Sequence, residues 1–271
     1  LDPAWVKQIR EMMKQAGRKG LTFREVLELH LVGDDPEEER SADGQPLTDV
    51  SEGKDGAGTP KLRVEVELNE HLAALIGQLN QSERIPQLKP SDKFAGQLRN
   101  YQAAGSSWLS FLRRYGLGAV LADDMGLGKT VQWIAHLLHV RETEQIDTPA
   151  LLICPTSVLG NWQKELERFA PTLAVYVHYG SQRVKGEGFA PHAKNHDVVL
   201  TSYALSHLDE EELASVYWSS VCLDEAQNIK NANTKQAAAV RKLQAGHRIA
   251  LTGTPIENRL TELWSIFDFV H

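Results

Sequence analysis

The stretch GAVLADDMGLGKT, residues 118–130, decides how the rest of the chain is read. It begins as a short apolar run, passes through a glycine-containing loop, and ends in Lys129 and Thr130, which open a segment of helical period. A strand, a tight loop and a helix in that order make a phosphate cradle. Gly126 and Gly128 let the backbone approach an anion closely, and the loop amides point at it with the helix N-terminus behind them. Lys129 can then reach the β- and γ-phosphates of a nucleotide, and Thr130 can offer its hydroxyl to Mg²⁺. The general pattern G-x-x-x-x-G-K-[ST] fails at its first position, where Asp123 stands, so the loop needs support from elsewhere.

That support lies on both sides of it. From about residue 91 onward, short apolar runs (GAVLA, ALLIC, LAVYVHY, DVVLTSY, SVCLDEA and RIALTG) alternate with stretches of helical period. The spacing predicts helices over 129–141, 158–169, 234–243 and 258–270. Alternating strands and helices imply an α/β fold with a parallel sheet covered on both faces. Ligands of such sheets bind beyond the carboxyl ends of the strands. At one such end VCLDEAQ places Asp224 and Glu225 side by side. Two adjacent carboxylates after a buried strand call for a cation. In phosphoryl-transfer chemistry Asp224 would hold Mg²⁺ through its waters, and Glu225 would orient or deprotonate the attacking water.

The first third of the chain reads differently. Trp5, Ile9 and Met12 or Met13 recur at helical spacing, and Thr22 with Glu25 forms a capping box for a second short helix. Residues 34–55 hold nine acids and two bases, the whole of the chain's net charge of −7, and lack periodicity. They read as a solvated or disordered linker. LRVEVEL, residues 62–68, alternates like a strand, and Asn69 caps an amphipathic helix ending near Leu79. The expected domains are therefore a helical appendage over 1–33, an acidic linker over 34–60, a strand and helix over 61–90 and an α/β lobe with the phosphate loop over 91–271.

Composition excludes several classes. Of 271 residues, 42% are hydrophobic and 24% charged, as in ordinary globular chains. No apolar run approaches the ~18 residues of a membrane span, and no basic-then-apolar leader follows Leu1. Cys154 and Cys222 both lie in apolar stretches and make no disulfide framework, which suits a reducing compartment. The expected location is the cytoplasm, associated with the nucleoid.

LRNYQAAGSSWL, LADDMGLGKT, ICPTSVLGNW, LTSYAL, LDEAQNIKN and LTGTPIENRLTELWSIFDF occur in that order over residues 97–271. Together they resemble the SWI/SNF-related ATPases of helicase superfamily two, in wording closest to the bacterial members. The resemblance implies a RecA-like P-loop lobe with a parallel sheet flanked by helices, preceded by part of a mainly helical region. It implies ATP and Mg as cofactors, with a cradle of Asp124, Met125, Gly126, Leu127, Gly128, Lys129 and Thr130. Gln102 of the opening motif would recognise adenine, with Arg99 nearby. Lys129, Asp224 and Glu225 become catalytic residues, and Thr130 and Asp224 the metal residues. Thr252, Gly253 and Thr254 would couple nucleotide state to strand binding, with Gln227 standing where many relatives carry His. Pro155, Thr156, Ser157, Thr201 and Ser202 fall where the family touches the phosphates of one DNA strand, a contact that fixes register without reading bases.

The implied activity is DNA-dependent ATP hydrolysis driving translocation on double-stranded DNA. The implied partners are double-stranded DNA, a second RecA-like lobe carrying an arginine finger, and RNA polymerase or another DNA-bound protein. No arginine up to His271 stands in a recognisable finger context, and losing such a residue costs about 10³ to 10⁵ in rate. This chain is therefore expected to be an excised first lobe that hydrolyses ATP poorly alone. Two other readings are open on sequence: a non-catalytic partner-docking module and an RNA-directed motor of the same superfamily. Among other conspicuous residues, Trp133, Trp162 and Trp264 read as core or interface, and Arg113 and Arg114 as a solvated face. His192 and His196 lack a third zinc ligand, and residues 181–188 read as a flexible basic loop.

Overall fold

The structure, a computed structural model, describes residues 85–123, 126–253 and 260–270, with side chains from 265 in the last of these. The elements expected over 5–13, 22–29, 62–68 and 69–79, the acidic linker, Trp264 and the residues Asp124, Met125 and Thr254 lie outside the described part.

The six apolar runs all become strands of one parallel sheet. They are β1 (Ala119–Leu121), β2 (Ala150–Cys154), β3 (Val175–Val177), β4 (Val198–Ser202), β6 (Ser220–Asp224) and β8 (Arg248–Leu251), in the order β1-β8-β6-β2-β4-β3. A separate two-stranded ribbon, β5 (Tyr217–Trp218) with β7 (Gln244–Ala245), was not foreseen, because two-residue strands leave no periodic signal. The central strands β2 and β4 are buried at every position. Helices cover both faces, so these strands have no solvent side and their sequences run apolar instead of alternating.

The helices are α1 (Asn100–Arg114), α2 (Lys129–Thr143), α3 (Leu159–Phe169), α4 (Phe189–Lys194), α5 (Tyr203–Leu208), α6 (Glu210–Ala214), α7 (Lys235–Lys242) and α8 (Leu260–Val270). Three of the four expected helices match within two residues. The fourth, expected over 258–270, is described from Leu260. Thr234 stays outside α7 as its N-cap, accepting a hydrogen bond from the Ala237 amide at 3.2 Å. Leu151, Ile153, Val199, Val221, Leu223 and Ala250 turn to one face, where Phe189, Tyr203, Leu213, Val240, Ile266 and Phe269 pack on them. The alternate residues Leu152, Leu200, Cys222 and Ile249 are equally buried and turn to the opposite face. Among the described residues, no helix is long and apolar enough to cross a membrane.

Candidate nucleotide-binding and hydrolysis site

The expected site residues that the structure describes after these strands gather along one edge of the sheet, where β1, β8, β6, β2 and β4 all end. Adjacent parallel strands are about 4.8 Å apart, so residues scattered through the sequence become neighbours there. The loop after β1 runs into α2, whose N-cap is Gly128 at φ 79° and ψ 41°, and Gly126 sits at φ 85°. Both conformations are left-handed and cost a residue with a Cβ roughly 1–2 kcal/mol. A Cβ at Gly128 would also lie 2.5 Å from the Gln102 side-chain nitrogen and displace it. Gln102 Nε2 donates to the Leu127 carbonyl at 3.3 Å, while its Oε1 accepts from the Arg99 amide at 3.0 Å. One side chain therefore caps α1 and braces the phosphate loop.

Lys129 Nζ donates to the Asp123 carbonyl at 2.6 Å. The Asp123 carboxylate is itself held, accepting from Gln132 Nε2 at 2.8 Å. Asp123, the departure from the general loop pattern, thus anchors the start of the loop. Beside the loop lies a cavity of about 380 Å³ lined by Gly96, Arg99, Tyr101, Gln102, Gly126, Arg168 and Phe169, among others. Its size suits a nucleotide-sized ligand. Phe94 stacks on Phe169 at 5.7 Å with a 7° interplanar angle, and the Arg168 guanidinium lies 4.8 Å from the Phe169 ring centre. Sequence reasoning missed Tyr101, Arg168 and Phe169 as lining residues, because at the end of an amphipathic helix they carry only a packing signal.

Asp224 closes β6, and Glu225 follows in a left-handed conformation at φ 51° and ψ 55°. A non-glycine residue held there stores local strain, and Asn228 Nδ2 helps to hold it by donating to the Glu225 carbonyl at 2.8 Å. The Tyr203 hydroxyl donates to the Asp224 carbonyl at 2.8 Å, and the Trp162 indole N–H donates to Asp224 Oδ2 at 2.7 Å. Burial pushes the Asp224 carboxyl above its ordinary value and the Glu225 charge adds to this, while the indole N–H and Lys129 oppose it. A partly desolvated carboxylate with a second acid beside it favours a nearby cation. Asp224 and the Thr130 hydroxyl are hard oxygen donors of the kind Mg²⁺ takes. The remaining positions of its octahedral shell would fall to phosphate and water, as is usual for this ion.

Gln227 bridges the acidic pair to the end of β8. Its Nε2 donates to Glu225 Oε2 at 2.6 Å, and its Oε1 accepts from the Thr252 hydroxyl at 3.0 Å. Thr252 is fully buried, and Gly253 beside it is half-buried. The five strand-end positions expected at DNA separate into two groups. Thr156 and Ser157, after β2, are exposed beside half-buried Pro155. Thr201 and Ser202 are buried, with the Thr201 hydroxyl donating to the His178 carbonyl at 3.1 Å and Ser202 Oγ accepting from the Leu205 amide at 3.4 Å. Their hydroxyls serve the fold, so of these five residues Thr156 and Ser157 are the exposed ones.

Two expectations are corrected. Arg113 is not on a solvated face. Its Nε and Nη2 donate to the Glu144 carboxylate at 2.9–3.1 Å, and its Nη1 donates to the Ser219 carbonyl at 2.7 Å; only Arg114 is exposed. Nor are the cations of residues 181–188 all presented outward: Arg183 Nη2 bonds Asp209 Oδ1 at 2.9 Å and Lys185 lies 3.6 Å from the same oxygen. Trp133 and Trp162 are core residues as expected, at 0% and 2% exposure, though Trp162 also reaches the site. His192 and His196 pack around the Tyr176 ring at 4.4 and 5.4 Å.

Comparison with known proteins agrees with this arrangement. The family model of the SNF2-related domain matches residues 101–271. The putative ATP-dependent helicase/translocase YwqA of Bacillus subtilis is 52% identical over the entire chain, which covers 28% of that protein. The TATA-binding protein-associated factor MOT1 of Saccharomyces cerevisiae is 40% identical over 64% of the chain, covering 10% of its own length. The Sulfolobus solfataricus SWI2/SNF2 ATPase core solved in complex with dsDNA superposes with a TM-score of 0.62 at 45% identity, over 68% of this chain and 38% of that one. The chain thus spans under a third of YwqA and about two fifths of the solved core. With its RecA-like sheet, its phosphate loop and its acidic strand end in one register, the chain belongs to the SNF2-related domain family.

Proposed function

We propose that this chain is the ATP-binding lobe of a DNA-dependent ATPase that translocates on double-stranded DNA. The observation that carries this reading is the single connected edge of the sheet. There Lys129 reaches the Asp123 carbonyl, its charge acts on the Asp224 carboxyl, and Gln227 ties Glu225 to Thr252.

ATP would enter between the loop and the cavity of Gln102, Arg168 and Phe169. Lys129 would exchange the Asp123 carbonyl for phosphate oxygens, and the loop amides from Gly126 onward would take the anionic charge. Bound Mg²⁺, held by Asp224 and Thr130, supplies charge neutralisation at the phosphates. Glu225 is the proton acceptor for the attacking water, and its hydrogen bond from Gln227 sets the direction of the carboxylate. The same amide senses Thr252, so a shift at the end of β8 reaches the water-activating group through one side chain. Thr156 and Ser157, both exposed, would take a DNA phosphate, and such contacts give register without sequence preference. A second RecA-like lobe would complete both the nucleotide site and the DNA track.

The test is ATP turnover by the whole protein with duplex DNA, single-stranded DNA, duplex RNA or no nucleic acid, beside its Lys129→Ala form. Stimulation by duplex DNA is expected, with turnover lowered by at least about 10²-fold in Lys129→Ala, the loss typical of removing one preorganised electrostatic group. Turnover indifferent to DNA, or equal in the variant, would sink the reading.

A further inference from the structure

We propose that Trp162 is a positioning residue for this reaction: it holds the carboxylate of Asp224 and ties it to the exposed turn that follows β2. The proposal rests on the reading of Asp224 as the metal carboxylate and goes beyond it by naming what sets that carboxylate's orientation.

Trp162 lies in the first turn of α3, 62 residues from Asp224 in sequence, and its indole N–H donates to Oδ2 at 2.7 Å. An indole N–H is a donor only, so it fixes the oxygen it meets as an acceptor. The ring is 2% exposed and cannot follow solvent. It is held edge-to-face by Trp133 at 5.6 Å and 86°. Trp133 sits one helical turn beyond Lys129 on α2. The indole is therefore locked between the helix that starts at the phosphate loop and the strand that ends in the acidic pair. With the Tyr203 hydroxyl on the Asp224 carbonyl, the residue is gripped at both main chain and side chain. A cation that demands near-ideal octahedral geometry benefits from a carboxylate that cannot swing.

The second half of the argument is continuity. The 3₁₀ turn Thr156–Val158 runs directly into α3, with Val158 as the helix N-cap. Thr156 and Ser157 are its exposed residues. Any displacement of that turn by a bound anionic strand is carried by the first turn of α3 to the indole, and from there to Asp224. Trp162 thus gives strand occupancy and metal-carboxylate geometry a shared part.

Trp162→Phe keeps a ring against Trp133 and deletes the donor. In the whole protein, the Mg²⁺ concentration for half-maximal ATP binding is expected to rise about 10- to 100-fold, as when other donors behind a metal ligand are removed. Nucleotide affinity measured in EDTA should stay unchanged, and DNA stimulation should fall. A readout independent of turnover comes from fluorine NMR of the protein labelled with 5-fluorotryptophan. The Trp162 resonance, identified by its loss in Trp162→Phe or, should that variant not fold, by its shift in Asp224→Ala, should move with Mg²⁺ plus a non-hydrolysable ATP analogue and stay put with the analogue in EDTA. An unaltered Mg²⁺ requirement in Trp162→Phe, or a Trp162 resonance indifferent to Mg²⁺, overturns the proposal while wild-type Mg·ATP binding leaves the nucleotide reading standing. A wild type that binds no Mg·ATP overturns both.

Discussion

Gln227 shows why a side chain's chemistry matters more than its family resemblance. Its amide offers a donor and an acceptor on one planar group, and both are used, toward Glu225 and Thr252. A neutral imidazole can also donate from one nitrogen and accept at the other. Gln227→His should therefore keep most DNA-stimulated turnover. Gln227→Leu removes both bonds and with them the bridge between Glu225 and Thr252. It should lower stimulated turnover by about 10- to 100-fold with little change in nucleotide affinity, which steady-state kinetics beside equilibrium binding would separate. An equal loss in both variants would reject the bridging role. Gly128→Ala probes the loop itself, since the added Cβ meets both an adverse φ of 79° and Gln102 at 2.5 Å. Loss of fluorescent-nucleotide binding is expected, and retained affinity would show that the loop can rearrange.

At the scale of elements, the loop is only as well placed as the helices that hold it. Gln132, on α2, is 1% exposed and donates to Asp123, whose carbonyl takes the Lys129 amine. Its Oε1 lies so near α1 that a Cβ on Gly105 would sit 1.7 Å from it. Gly105 was not singled out in the sequence, because a glycine inside a helical pattern looks like a simple loss of propensity, whereas here it admits a neighbouring side chain. The close seat of α8 has a similar cause: a Cβ on Gly118, just before β1, would lie 2.0 Å from the Val270 carbonyl oxygen. That obstacle is backbone and cannot swing aside. Gly118→Ala is expected to destabilise the lobe by about 1–3 kcal/mol or more, the usual cost of overpacking. Urea unfolding would check this, and an unchanged midpoint would mean that α8 docks elsewhere in solution.

For the molecule as a whole, the most consequential charges are those kept out. His136 and His247 are 2% and 3% exposed, with rings 5.6 Å apart and Arg113 nearby. Burial holds His136 well below its ordinary value and, with the Arg113 charge, lowers His247 to about 3. The unfolded chain protonates both near pH 6.5 while the native state resists. Stability is thus fully present above that pH and is lost as pH falls toward 3. His247 contributes a slope of about 1.4 kcal/mol per pH unit in that window, and His136 acts in the same direction. Asp224, whose pKa is raised by burial, acts in the opposite sense, but as a single group. Net acid destabilisation beginning near pH 6.5 is therefore expected, and His247→Phe should make it shallower. Urea midpoints at pH 7.5 and 5.5 for the two proteins measure the difference, and equal pH slopes would rule His247 out as its source.

By itself the sequence determined the α/β class, the six strands, the phosphate loop and the acidic strand end. Those signals are local: unbroken apolar runs mark strands buried on both faces, and glycines mark backbone that must approach an anion. Only the tertiary structure decided that Trp162 reaches Asp224, that Gln132 steadies Asp123, that Arg113 is engaged, and that Thr201 and Ser202 are buried while Thr156 and Ser157 are exposed. The reason is physical. A tryptophan on an apolar helix face reads the same whether its N–H meets a carboxylate or nothing. A hydroxyl at a strand end reads the same whether it faces solvent or a neighbouring carbonyl. Which of these holds depends on the strand order β1-β8-β6-β2-β4-β3, which brings together residues whose separation in the chain says nothing of their contact.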